Sequence, residues 1–256
     1  MMGHGLTLVF AVFLWWFSTG IILNLCGRPK RTFGKTLLGG SVVLVVALYG
    51  LADSAWSVSE GGAYLAFLSA IAVWGWLEMS FLMGYVTGPR TSPCPSDAKG
   101  WHRFTLALRT LLYHELAIIA GAGVIIVLTW GAPNQTATVA FLILMVMRIS
   151  AKLNIFLGVP YLPVVFLPER LSYLKSYFRT RRFNWLLPVS IIGSALFAVS
   201  LGRRALVAEG AEAVGCALLF SLLALAMLEH FFMILPFPDA ALWRWAKPVG
   251  AADDEI

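Results

Sequence analysis

The sequence predicts an all-α membrane protein, a polytopic bundle of about seven transmembrane helices. Hydrophobic residues make up 59% of the 256 residues and charged residues only 12%, about half of the roughly 25% that is usual in soluble proteins. The apolar residues gather in stretches that are each long enough to cross the hydrocarbon core of a bilayer. Because unpaired backbone groups are costly in lipid, we expect these stretches to be α-helices.

We predict a single membrane domain that comprises the whole chain, 1–256. The first five residues contain no Lys or Arg, and the apolar run that follows is of membrane length. It is therefore predicted to be a retained helix and not a signal peptide. The predicted spans, in chain order, are 5–26, 36–58, 62–87, 105–131, 136–160, 184–201 and 211–236.

Basic residues alternate between the predicted loops. The first, third and fifth loops contain several Lys and Arg residues, whereas the second and fourth contain none. The positive-inside rule then places the N-terminus outside and the C-terminus in the cytoplasm. The Arg203-Arg204 pair in the sixth loop is the exception. The net charge of +6 is thus interpreted as a topology signal and as contact with anionic membrane lipids, and no nucleic-acid-binding motif is present.

The fifth loop contains a predicted amphipathic helix at 168–183. Leu171, Leu174 and Phe178 would share one face of this helix, and Lys and Arg residues would occupy the rest. Such a pattern is typical of a helix that lies on the cytoplasmic membrane surface. It is expected either to anchor the bundle at the interface or to bind a partner or lipid.

Ionisable side chains inside a bilayer are costly, so each of them is expected to have a partner or a function. Several occur within the predicted spans. Asp53 lies nearer the outer surface and stands apart, whereas the predicted orientation places the charged residues and histidines of one group in the cytoplasmic half of four helices. We expect a buried polar cluster that consists of Glu78, His114, Glu115, Arg148, Lys152, Asn154, Glu229 and His230.

Charge counting narrows what this cluster can be. Arg148 and Lys152 are four residues apart and share a helix face, so they need nearby carboxylates. Two cations against three glutamates leave one negative charge, which a proton or a bound metal ion could cancel. Three interpretations stay open: an ion-pair network, a ligand-binding cavity, and an iron site. The candidate iron ligands are Glu78, His114, Glu115, Glu229 and His230.

The iron pattern is weak, because carboxylate-bridged di-metal sites in helix bundles use Glu-x-x-His, which aligns both ligands. Here each pair is adjacent, and adjacent side chains diverge by about 100° around a helix. A neutral histidine can also ligate the metal of a tetrapyrrole, so His114 and His230 are candidates for that role as well.

Seven short stretches form a set of motifs: Leu77–Leu82, Gly88–Arg90, Met147–Asn154, Phe156–Pro160, Phe166–Pro168, Glu229–Phe232 and Leu235-Pro236. These motifs resemble the PuhE family, photosynthetic complex assembly proteins of purple and related phototrophic bacteria. The run from Arg148 to Asn154 is the most specific of them, whereas Tyr161 stands where many members have Asn.

The resemblance implies a multi-pass protein of the bacterial inner (intracytoplasmic) membrane that meets reaction-centre and core antenna subunits. Carried over residue by residue, it marks Arg90 in the third loop as well as members of the polar cluster. The residues marked in this way are Glu78, Arg90, Arg148, Lys152, Asn154, Glu229 and His230.

Three functional hypotheses follow. The first is a non-enzymatic assembly factor for the photosynthetic reaction centre and core antenna, which would also hold bacteriochlorophyll or a precursor near the polar cluster. The second is a membrane metalloenzyme with a Glu/His iron site that acts on a tetrapyrrole or an isoprenoid. The third is a stable subunit of the photosynthetic supercomplex.

Overall fold

The predicted fold class is confirmed by the computed structural model, which describes residues 2–162 and 167–246. Seven α-helices in this part of the chain are long and apolar enough to cross a membrane. Phe166, within one of the family-like motifs, lies outside the described residues. The helices are α1 (Met2–Cys26), α2 (Phe33–Ala55), α3 (Glu60–Leu82), α4 (Gly100–Leu128), α5 (Thr136–Leu157), α6 (Leu186–Val207) and α7 (Gly210–Phe232).

Helices α3 and α7 form the centre of the bundle. Half of the α3 span and two thirds of the α7 span are buried, against a third or less of the other spans. Their inward faces carry many small residues, such as Ala66 and Ala70 on α3 and Ala217 on α7. Small side chains let helix backbones approach closely, which is how membrane helices gain packing energy where lipid supplies no hydrophobic drive.

The helices run up and down, so their connections collect at two ends. The short connections 56–59, 129–135 and 208–209 lie at one end. At the other end, loops from distant parts of the chain contact each other. We call this second end the basic end, and its described part consists of the loop residues 27–32, 83–99, 158–162 and 167–185.

The loops of the basic end are held by backbone contacts. Val159 and Thr180 form an isolated β-bridge across the loop that follows α5. The loop after α3 presses against α4, and a Cβ atom on Gly88 would lie 2.1 Å from the carbonyl oxygen of Arg109. Only a glycine allows the two backbones to come so close at this position.

Arginine side chains from this end satisfy carbonyl groups at helix C-termini. Arg170 donates to the carbonyl oxygens of Leu82 at 2.9 Å and Cys26 at 2.7 Å, which end α3 and α1. Arg103 donates to the carbonyl oxygen of Phe156 in the last turn of α5 at 3.3 Å. The last carbonyls of a helix have no partner within the helix and carry partial negative charge, so a cation is favourable there.

The predicted helix at 168–183 differs in the structure. The chain forms a 3-10 helix over Glu169–Tyr177, and Phe178 beyond it is extended. Leu171 and Leu174 are buried and pack in one apolar cluster with Phe81 of α3. The apolar face therefore turns towards the bundle, because the ends of the neighbouring helices leave apolar surface there that it can cover.

The predicted boundary of the sixth span, 184–201, was wrong at its end. Helix α6 continues to Val207, so Arg203 and Arg204 belong to its last turns and not to a loop. A helix end tolerates arginines because they interact favourably with its C-terminal carbonyls. Arg204 also pairs with Glu212 of α7 at 3.2 Å, and the two arginines remain the exception to the alternation of basic residues, since they lie at the end opposite the basic end.

A further element was not predicted. The segment Asp239–Ala246 forms 3-10 turns that pack along α1. The indole of Trp16 donates to the carbonyl oxygen of Leu242 at 2.8 Å, and the indole of Trp243 donates to that of Trp16 at 2.9 Å. The sequence shows these tryptophans only as interfacial aromatics, whereas the structure uses them to hold this segment against α1.

The predicted orientation of the bundle can be tested with its cysteines. Cys26 and Cys216 are buried, and Cys94 in the basic end is partly exposed. A membrane-impermeant maleimide should label Cys94 only after intact cells have been permeabilised. In a Cys94→Ser chain, the added Val58→Cys at the opposite end should be labelled in intact cells. The reverse pattern would contradict the positive-inside assignment.

The contact between Gly88 and α4 predicts a stability difference. Gly88→Ala should destabilise the detergent-purified protein by about 1–3 kcal/mol, because the added carbon meets backbone atoms that cannot rotate away. Gly123→Ala is the control, since it adds the same carbon to α4 with nothing within 4 Å. Unfolding followed by circular dichroism measures both, and equal stability of the two variants would contradict the tight backbone contact.

Candidate functional site

Two ion pairs connect α5 to its neighbours inside the membrane-spanning region. Arg148 donates to Glu78 Oε2 of α3 at 3.3 Å, and Lys152 donates to Glu115 Oε1 of α4 at 2.6 Å. The two cations lie four residues apart on one face of α5, as their spacing predicts. Each cation therefore has its own carboxylate, and the two pairs tie three helices together.

His114 lies behind the first ion pair. Its side chain is fully buried and stacks on Phe81 with the ring centroids 4.4 Å apart. Its Nε2 atom is 3.8 Å from Glu78 Oε1, which is longer than a hydrogen bond. His114 and Glu115 are neighbours in sequence, but one points into the core and the other towards Lys152, as adjacent positions on a helix must.

His230 belongs to a second polar group, between α5, α6 and α7. Its Nδ1 atom is 2.9 Å from the carbonyl oxygen of Ala226, so Nδ1 is the donor, because a carbonyl only accepts. Its Nε2 atom is 2.9 Å from the hydroxyl of Ser150. The Ser150 hydroxyl also lies 2.8 Å from the Ser190 hydroxyl, and Asn154 donates to the Ser150 carbonyl oxygen at 2.9 Å.

Sequence reasoning missed Ser150 and Ser190. A serine in a membrane helix is common and often bonds its own backbone, so neither residue stands out by type. The available signal was spacing, because Ser150 lies four residues before Asn154 and therefore faces the same way. Ser190 is on α6, and no charged or amide residue lies within four positions of it to indicate a polar contact.

Glu229 faces away from both groups. It lies on the exposed surface of α7 and accepts a hydrogen bond from the Trp15 indole of α1 at 3.2 Å. Among the described residues, no cation lies within ion-pair distance of it. Arg148 is the cation that attracts it, and the Arg148 side chain is itself 41% exposed. We call Trp15, Arg148 and Glu229 the polar patch.

The candidate iron ligands do not converge. Within residues 2–162 and 167–246, no three His, Cys, Asp or Glu side chains lie close enough to share a metal ion. Glu78 and His114 face each other, Glu115 is held by Lys152, and Glu229 and His230 point in different directions. The Glu and His of each adjacent pair point in different directions because neighbouring side chains diverge by about 100° around a helix.

The two histidines do not fit a tetrapyrrole either. A histidine that ligates the metal of such a ring must present a nitrogen atom to an open space as wide as the macrocycle. His114 and His230 are 0% and 2% exposed, and both ring nitrogens of His230 already contact protein acceptors or donors. The packing therefore gives neither imidazole access to a pigment.

Arg90 stands apart from the cluster, in the basic end. Its guanidinium donates to the Tyr177 hydroxyl at 2.7 Å and to the Pro93 carbonyl oxygen at 2.8 Å. The Tyr177 hydroxyl in turn donates to the Ser92 carbonyl oxygen at 3.2 Å. These bonds join the loop after α3 to the 3-10 helix of the fifth loop, so Arg90 holds two segments of the basic end together.

Comparison with known proteins gives a family without an assigned activity. Residues 1–254 match the family described as protein of unknown function (DUF3623). The chain is 42% identical over 244 residues to an uncharacterized 30.4 kDa protein in the puhA 5′ region of Rhodobacter capsulatus, and the alignment covers 93% of this chain and 88% of that protein. No solved structure matches the chain significantly.

The pair between Lys152 and Glu115 predicts a non-additive effect on stability. Glu115→Leu alone should destabilise the purified protein by about 3 kcal/mol, because it leaves Lys152 enclosed without its carboxylate. Adding Lys152→Met should restore most of that loss, since the double variant has no charge to bury. Unfolding in detergent, followed by circular dichroism, measures both variants.

The exposed pair of Arg204 and Glu212 is the control for this cycle. Its side chains are 67% and 59% exposed, so Glu212→Leu should change stability by less than about 1 kcal/mol. A double variant that is no more stable than Glu115→Leu would contradict the assigned pairing of Glu115 with Lys152.

Proposed function

We propose a function on the premise that this chain belongs to the family described as protein of unknown function (DUF3623). The proposed function is that of a membrane-embedded, non-enzymatic assembly factor for the bacterial photosynthetic reaction centre and its core antenna. It would act in the inner (intracytoplasmic) membrane and contact subunits of these complexes from the side, through its helices.

Two sequence relationships support a photosynthetic role. The relative from Rhodobacter capsulatus is named for its place in the puhA 5′ region. The motifs around Glu78, Arg148 and Glu229 resemble those of the PuhE family of photosynthetic complex assembly proteins. The alignment extends over nearly the whole of both chains, so the likeness is not restricted to one hydrophobic segment.

The polar patch is the structural observation that supports lateral contact. Arg148 lies nine residues before the end of α5, about 14 Å along the helix and therefore well within the span. Glu229 is exposed three residues before the end of α7, so a partly exposed cation and an exposed carboxylate both lie within the helices, where they are unfavourable against lipid chains. A polar side chain from a neighbouring transmembrane helix would satisfy them, as polar groups do between membrane helices.

The charge balance identifies Glu229 as the residue that such a partner would meet. Arg148 and Lys152 neutralise Glu78 and Glu115, so Glu229 is the carboxylate left over. The Trp15 indole supplies one hydrogen bond to it, and an ionised carboxylate accepts several. A donor on the partner helix would complete this set.

The other two hypotheses have less support. The iron-enzyme hypothesis needs several Glu and His ligands to converge, and the described residues offer no such group. The stable-subunit hypothesis uses the same contact surface as the assembly-factor hypothesis, and the two differ in the number of copies expected per reaction centre. An assembly factor should be recovered well below one copy per reaction centre after mild solubilisation, whereas a subunit should be recovered at one copy.

Gene deletion in a purple phototroph that carries this gene tests the proposal. We expect the deletion to lower the reaction-centre and core antenna absorbance per cell, and the intact gene to restore it. Unchanged amounts of both complexes under phototrophic growth would contradict the proposed function.

A matched pair of variants tests the role of the polar patch. Glu229→Ala should fail to restore the absorbance although the protein reaches the membrane in normal amount, because only the contact with the partner is lost. Glu212→Ala removes an exposed glutamate from the other end of the same helix and should restore it fully. Equal complementation by both variants would show that the patch is not the contact site.

A further inference from the structure

A cleft opens at the basic end, away from the polar patch. It has a volume of about 370 Å³ and lies where α2 begins and α3 ends, against the 3-10 helix Glu169–Tyr177. One wall is apolar and the rest carries cations and hydroxyl groups. The lining residues are Lys30, Phe33, Met83, Gly84, Tyr85, Thr87, Thr91, Arg170, Leu171 and Tyr173.

The cleft is positively charged. Lys30 and Arg170 line it, and none of its lining residues is acidic. Neither cation forms an ion pair with any acidic side chain that the structure describes. Two uncompensated cations around one cavity attract an anion, and attraction at the membrane surface amounts to about 1 kcal/mol for each Lys or Arg.

Arg170 is held in place before any ligand arrives. Two of its N–H groups bond the carbonyl oxygens of Leu82 and Cys26, and its guanidinium lies 4.4 Å above the ring of Phe33. A guanidinium has five N–H donors, so donors remain for a ligand. Burial lowers the pKa of Arg170 from its ordinary value, but an arginine stays charged at any physiological pH.

Neutral donors complete the cleft. Thr87, Thr91 and Tyr173 are lining residues that carry hydroxyl groups, and the Tyr173 hydroxyl is enclosed with Thr87 beside it. Burial raises the pKa of Tyr173, so its hydroxyl keeps its proton at neutral pH and can donate. Fixed cations together with hydroxyl donors are the groups that bind phosphate oxygens.

The apolar wall indicates that the phosphate belongs to a lipid. Phe33, Met83 and Leu171 line the same cavity as the cations, and a free phosphate ion has no group to place against them. The cleft also lies at the ends of membrane-spanning helices, the depth at which lipid headgroups meet protein. Basic pockets between helix ends on the cytoplasmic side are typical sites for anionic headgroups.

We infer that this cleft binds the phosphate-bearing headgroup of an anionic phospholipid, with Lys30 and Arg170 as the cationic contacts and the beginning of the acyl chains against Phe33 and Leu171. The inference is independent of the photosynthetic role. It requires that the basic end meets a leaflet that contains anionic lipid.

Native mass spectrometry of the delipidated, detergent-purified chain tests this inference with phosphatidylglycerol as the probe. Phosphatidylglycerol should bind as one retained lipid per chain, whereas phosphatidylcholine should not be retained. Lys30→Gln should weaken phosphatidylglycerol binding about five-fold. Thr91→Val removes one hydroxyl without a change of charge and should also weaken binding.

Lys35→Gln is the control for charge, because Lys35 is an exposed basic residue nearby in sequence that does not line the cleft. Its binding should equal that of the unaltered chain. Equal losses in Lys30→Gln and Lys35→Gln would overturn the inference in favour of general surface attraction. Arg170 is left unaltered in the test because it also holds the ends of two helices.

A second arm separates the two sources of phosphate. Thermal unfolding is measured with inorganic phosphate and with chloride at equal ionic strength. Inorganic phosphate should give no stabilisation beyond that of chloride, because it lacks the apolar part that the cleft accommodates. Stabilisation by inorganic phosphate together with no retained phosphatidylglycerol would overturn the lipid assignment.

Discussion

The absence of water in the bilayer core is the constraint on which the rest of this structure depends. It requires every backbone group to bond within the protein, which leaves helices as the building blocks. It also makes each buried charge unfavourable unless a counter-charge is near. The pairs Glu78 with Arg148 and Glu115 with Lys152 meet that requirement, and in doing so they fix how α3, α4 and α5 pack around one another.

The same constraint applies at the ends of the helices, where the last carbonyl groups have no partner in their own helix. Arginines from other segments satisfy them at the basic end: Arg170 bonds the ends of α1 and α3, and Arg103 bonds the last turn of α5. Arg90 then joins the loop after α3 to the segment that carries Arg170. The basic loops therefore form a connected layer over the helix ends, and the proposed lipid cleft is the opening left within it.

Function is expected where a charged side chain has no counter-charge at ion-pair distance within the described chain. Within the polar cluster, one carboxylate more than the number of cations leaves Glu229 at the surface, where the Trp15 indole is its hydrogen-bond partner among the described residues. In the loop layer, Lys30 and Arg170 lack acidic partners in the described chain. The first imbalance suits a neighbouring helix and the second a lipid anion, so one physical rule identifies both candidate contacts.

The sequence by itself determined the seven spans, the alternating loop charges and the shared face of Arg148 and Lys152, because hydropathy and helical periodicity act within a few residues of each other along the chain. Only the tertiary structure decided which glutamate each cation meets, that His230 joins Ser150 and Ser190, and that the segment Asp239–Ala246 returns along α1. Some of these contacts join residues that are 226 positions apart in the sequence. They depend on how the helices are rotated and placed against each other, and the local pattern of a sequence does not encode that placement.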